Sequence, residues 1–83
     1  MIEVVSVRYI GGYKLALVFK DGIKGTVDLE NQLYGEVFEP LQSPSYFAKV
    51  ELEGGSVCWP NEADFAPEFL YQRVKETTDS RVK

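Results

Sequence analysis

Apolar and polar residues alternate from Val4 to Ile10, with Val5, Val7 and Tyr9 on one side of an extended chain and Ser6 and Arg8 on the other. β-Branched and aromatic residues suit a pleated, half-buried surface, so this stretch predicts a first strand. Gly11-Gly12 supplies a turn, and Tyr13, Leu15, Leu17 and Phe19 then share one face of a second strand. Ala16 and Val18 make its other face partly apolar, which predicts a central position. Asp21-Gly22 is a strong hairpin signal. It leads into a third strand over Ile23–Asp28, with Gly25 marking a weak point or a bulge.

Beyond Asp28 the period of two breaks down. Leu29–Tyr34 fits a single helical turn begun by Asp28 as N-cap and ended by Gly35. Val37-Phe38-Glu39-Pro40-Leu41 reads as an apolar loop lying over the sheet. Ser43-Pro44 has the form of a cap and a first helical residue, opening a short helix over Pro44–Lys49. Val50 and Leu52 alternate with Glu51 and Glu53, which places the apolar pair inward and the glutamates outward. Gly54-Gly55 turns the chain, and Ser56–Trp59 returns with Val57 and Trp59 on one face and Cys58 on the other. Pro60 lacks a backbone donor and ends that strand. A last helix begins near Pro67, where Leu70 and Val74 share a face that Phe65 and Phe69 extend, and it is complete by Lys75. The expected fold is α+β: a small antiparallel sheet made of a three-stranded meander plus a C-terminal hairpin, with a short middle helix and a C-terminal helix. Residues 1–76 form one domain and the polar residues 77–83 a frayed tail.

Composition narrows the chemistry. A hydrophobic share of 45%, with 13% aromatic, is too rich for a disordered chain. With 83 residues the core is only just sufficient. No histidine is present and Cys58 is the sole cysteine. Zinc sites of Cys and His within one chain are therefore excluded, as are Ser-His-Asp and Cys-His nucleophiles. No catalytic residue, cofactor or metal ligand is assigned, and enzymatic activity is not the expectation. Met1-Ile2-Glu3-Val4-Val5 lacks the basic start and apolar run of a signal peptide, and the longest apolar run, Leu15–Phe19, is too short to span a bilayer. A cytoplasmic protein without a membrane partner is expected.

Charge is uneven. Residues 28–68 carry nine acids against one base, Lys49, a net of −8, while residues 1–27 and 69–83 each net +2. An acidic middle repels phosphate backbones, so direct nucleic-acid binding is not expected; it would suit a small basic protein partner. Edge strands of so small a sheet also leave room for a homodimer.

The candidate interaction site is Trp59, Asn61, Glu62 and Asp64, together with Glu36 and Glu39. The one tryptophan reads first as a core residue and, if exposed, as a recognition anchor. Asn61 and Asp64 either shape the turn through local hydrogen bonds or form a polar site. Glu62 and Asp64 read as surface charge rather than as a paired acid and base. Cys58 reads as a small buried apolar residue, and Tyr9, Tyr13 and Phe19 as an aromatic core rather than a base-stacking face.

Gly35-Glu36-Val37-Phe38-Glu39-Pro40-Leu41, Pro44, Phe47, Trp59-Pro60-Asn61, Asp64, Pro67 and Leu70-Tyr71 together resemble the small bacterial family named domain of unknown function 2442. The resemblance implies a compact α+β fold with an antiparallel sheet and a packed C-terminal helix, and it implies no activity. Members are often encoded beside a small protein of domain of unknown function 4160, in pairs that look like toxin–antitoxin or two-component regulatory modules. The implied role is a non-enzymatic interaction module, an antitoxin-like or regulatory subunit. The alternative is a small ligand-binding domain or enzyme using the Asn61–Asp64 turn. Glu62 stands where the family commonly has glycine.

Overall fold

Strands β1 (Val4–Tyr9), β2 (Lys14–Phe19) and β3 (Lys24–Asp28) form an antiparallel meander with β2 in the centre. This is a computed structural model; it describes the backbone of residues 1–82 and the side chains of residues 1–76. Leu15, Leu17 and Phe19 are buried on one face of β2, as the alternation requires. On β1 the alternation slips. Val4 pairs with Phe19 and Ser6 with Val18, so a bulge inserts one extra residue. Val4 therefore turns inward and is 1% exposed, while Val5, expected on the face of Val7 and Tyr9, is 46% exposed.

The middle of the chain contributes 3₁₀ turns over Glu30–Gln32 and Glu36–Gln42, then the short helix α1 (Pro44–Phe47). Asp28 does not cap a regular helix; its Oδ1 accepts the Glu30 N–H at 3.0 Å. The Val37–Leu41 stretch is helical rather than a loop, and it buries Leu41 completely. Gln42 Nε2 holds it from below by donating to the Leu33 carbonyl at 2.6 Å.

A second antiparallel sheet follows, ordered β4 (Glu51–Glu53), β5 (Ser56–Cys58), β6 (Asp64–Phe65). The expected hairpin is β4–β5; β6 is an additional strand pairing Val57 with Phe65 and Cys58 with Asp64. Leu52 shares the face of its partner Val57, yet β4 is the edge, so Leu52 stays 42% exposed. The two sheets meet where the Val4 N–H donates to the Gly55 carbonyl at 2.8 Å.

Helix α2 (Pro67–Val82) closes the core with Leu70 and Val74. A Cβ on Gly25 would lie 2.8 Å from Val74 Cγ1, so glycine on β3 is what admits the helix, and no bulge is needed there. The backbone of α2 extends beyond the end expected near Lys75. The tail expected over 77–83 lies, in its side chains and at Lys83 entirely, outside the described residues. Among the described residues no helix is long and apolar enough to cross a membrane.

Candidate functional site

The Trp59–Asp64 segment is a tight hairpin turn between β5 and β6. Trp59 N–H donates to the Ala63 carbonyl at 3.0 Å, and Glu62 N–H to the Trp59 carbonyl at 2.8 Å. Three residues, Pro60, Asn61 and Glu62, lie between that bonded pair, and Glu62 has φ of 74°. A left-handed third residue is what such a three-residue loop demands, and glycine meets it without strain. Glu62 thus adopts the left-handed conformation although it carries a side chain.

Trp59 is the foot of the turn. It is 2% exposed, and its Nε1–H donates to the Phe47 carbonyl at 2.8 Å. Its ring lies 5.4 Å from Phe47 and 5.9 Å from Phe65. A buried indole whose donor is satisfied holds elements together and offers no anchor to a partner. Phe47 in turn packs edge-on to Tyr13 and tilted against Tyr9, and Phe19 is met edge-on by Tyr71. Tyr9, Tyr13 and Phe19 therefore belong to the core cluster or pack against it.

Asn61 uses both ends of its amide. Its Oδ1 accepts the Ala63 N–H at 3.1 Å, and its Nδ2 donates to the Val37 carbonyl at 2.9 Å. The second bond fastens the turn to the 3₁₀ segment that carries Glu36 and Glu39. Four of the sequence candidates thus fall on two segments held together by one side chain: Glu62 and Asp64 on the turn and β6, Glu36 and Glu39 on the segment beneath. All four carboxylates are exposed.

One face of the second sheet was less legible. Glu51, Cys58 and Asp64 stand opposite one another across β4, β5 and β6, and opposed residues share a face. Cys58 is half-buried rather than buried, with its thiol 3.5 Å from Glu53 Oε1. Burial pushes its pKa up, and the contact with Glu53 and the charges of Glu53, Glu51 and Asp64 add to the shift. That keeps the thiol protonated and a poor nucleophile. The alternation of Glu51 and Glu53, with Cys58 turned away from Trp59, was the sequence signal for this face. Among the described residues no three His, Cys, Asp or Glu side chains converge on a cation site.

A separate cleft of about 270 Å³ lies at the opposite hairpin, between the first residues of the chain, Phe19, Lys20, Asp21 and Tyr71. Tyr71 donates its hydroxyl to Asp21 Oδ2 at 2.6 Å, while Asp21 Oδ1 accepts the Ile23 N–H at 3.0 Å. The Tyr71 hydroxyl, and then the Ile23 amide, hold the Asp21 carboxyl below its ordinary value. The same contact raises the Tyr71 phenol.

No curated protein and no solved structure matches the chain. The model of one family, described as protein of unknown function (DUF2442), matches residues 4–76, a span that takes in both sheets, the Trp59–Asp64 turn and the start of α2. On that match over most of its length, the chain belongs to the DUF2442 family.

Proposed function

We propose that the protein is a non-enzymatic interaction module that binds a small basic protein in the cytoplasm, as the regulatory or antitoxin-like subunit of a two-gene pair. One observation carries this reading. All nine carboxylates between residues 28 and 68 are solvent-exposed, and among the described residues none of them is ion-paired. Lys49, the one base in that stretch, lies over the Tyr46 ring at 5.5 Å instead of neutralising an acid. Uncompensated like charge works against a compact state through self-repulsion. In exchange it gives a field that steers an oppositely charged partner into contact. A ligand-binding reading of the turn has less to draw on, because Asn61 spends both amide groups on backbone atoms.

The test is kinetic. The tagged protein captures its partner from its own cells, and the association rate of the purified pair is followed by stopped flow. Reversing Glu36, Glu39, Glu51 and Glu53 to lysine should slow association about tenfold or more at low salt, with the gap closing as salt is raised. An unchanged rate, or the absence of a stoichiometric basic partner, overturns the proposal.

A further inference from the structure

The three longer edges of the two sheets, β1, β3 and β4, differ in what they would do against a copy of themselves. Along β3 the bonds to β2 include Leu29 N–H to Tyr13 O at 2.9 Å and Phe19 N–H to Ile23 O at 2.8 Å. Bonded and non-bonded pairs alternate in an antiparallel ladder. Gly25 and Val27 are therefore the residues of β3 bonded to β2, and Lys24, Thr26 and Asp28 turn their N–H and C=O groups away from it. Among the described residues no strand lies beyond β3. The side chains of Lys24, Thr26 and Asp28 are exposed as well, while α2 packs on the opposite face through Gly25.

From this edge we infer that β3 pairs antiparallel with β3 of a second copy of the chain about a two-fold axis at Thr26, joining the two meanders into one six-stranded sheet. Antiparallel pairing centred on Thr26 sets Lys24 opposite the partner's Asp28 and Asp28 opposite the partner's Lys24. Residues 24, 26 and 28 are then the hydrogen-bonded positions, which is the set whose backbone groups face outward. Ladder, register and charge all satisfy the self-complementarity that a two-fold interface requires. Asp28 accepts the Glu30 N–H through Oδ1, leaving Oδ2 for the partner's lysine.

The other long edges lack this property. On β4, pairing about Leu52 sets Glu51 against the partner's Glu53, and opposed like charges repel. On β1 the exposed side chains are Val5, Ser6 and Arg8, with no acid to pair with the one base, and the Val4 end is already bonded to Gly55. Self-pairing at β3 goes beyond binding of a basic protein and uses none of the four glutamates tested for it.

Sedimentation velocity of the wild-type chain from about 10 μM to 1 mM tests the inference in the range of weak association. A monomer–dimer equilibrium is expected. Lys24→Glu, which makes both symmetry-related pairs like-charged, should raise the dissociation constant about tenfold or more. Thr26→Pro should abolish the dimer by removing the central donor. Its N–H faces outward, so no bond to β2 is lost and the fold survives, as far-UV circular dichroism would verify. A wild-type chain that stays monomeric throughout overturns the inference, and so does a dimer indifferent to either variant.

Discussion

Two turns in this molecule share one backbone design, and only one of them has glycine at its left-handed position. In the first hairpin Phe19 N–H bonds to the Ile23 carbonyl, Gly22 N–H to the Phe19 carbonyl, and Asp21 accepts the Ile23 N–H. In the second, Trp59 bonds to Ala63, Glu62 to Trp59, and Asn61 accepts the Ala63 N–H. Each middle residue also reaches a distant element: Asp21 takes the Tyr71 hydroxyl and Asn61 holds the Val37 carbonyl. The left-handed position is Gly22 at φ 93° in one turn and Glu62 at φ 74° in the other. The same hydrogen bonds are thus made with and without glycine. The second turn is the more deeply seated, since Ala63 is buried whereas its counterpart Ile23 is exposed.

The substitution expected to separate the turns most is Asn61→Ala. It leaves the amide of buried Ala63 without its acceptor and cuts the tie to Val37, for a loss of about 2 kcal/mol in urea unfolding. Hydrogen exchange should rise in β6 and the Glu36–Gln42 segment before it rises in β2. Next comes a mirror pair. A left-handed conformation costs a non-glycine residue about 1–2 kcal/mol, partly offset by the chain entropy that glycine loses on folding. Gly22→Ala should therefore destabilise by about 1 kcal/mol, and Glu62→Gly should stabilise by about 0.5–1 kcal/mol. Thermal midpoints moving in the same direction would show that the two turns are not equivalent.

The smallest effect is one of pH. Asp21 has a lowered pKa, so its contribution is present above the ordinary carboxylate pKa of 3.8 and is lost as pH falls through the lower folded value. Asn61, at the corresponding position of the second turn, has no titratable group. Tyr71→Phe, which removes the leading cause of the shift, should flatten the acid side of a stability–pH curve measured between about pH 5 and 2.

The contrast between the turns also accounts for what could be read from the chain. Asp21-Gly22 announces a hairpin because glycine advertises the left-handed position, and the meander followed from it. Asn61-Glu62 carries no such signal, and Asp64–Phe65 is too short to show a period of two, so β6 went unseen. Phe65 is nevertheless an aromatic hub, stacked between Phe38 at 4.9 Å and Phe69 at 5.6 Å, its carbonyl bonded by the Ser56 hydroxyl. Phe69, four residues on, was foreshadowed by helical spacing, but Phe38 comes from far along the chain and no local pattern encodes that contact. Val5 was misplaced for a related reason: alternation assumes an unbroken register, and a bulge is set by the partner strand. At the candidate site, the structural weight of Trp59 and Asn61 was legible from residue type and turn chemistry. The joining of Glu36 and Glu39 to the turn was not, because it depends on one amide reaching Val37.

Among the described residues one backbone hydrogen bond, Val4 to Gly55, joins the two sheets, and its place in the chain bears on the order of assembly. Every contact within the meander closes a short loop, and so does every contact between β4, β5 and β6, so each sheet can nucleate by itself at small entropic cost. Joining them brings the start of β1 to a turn most of the domain away in sequence, a slow, non-local closure. The first meander can then form early on the growing chain, and the acidic sheet becomes fixed against it only once the turn at Gly54-Gly55 has been made.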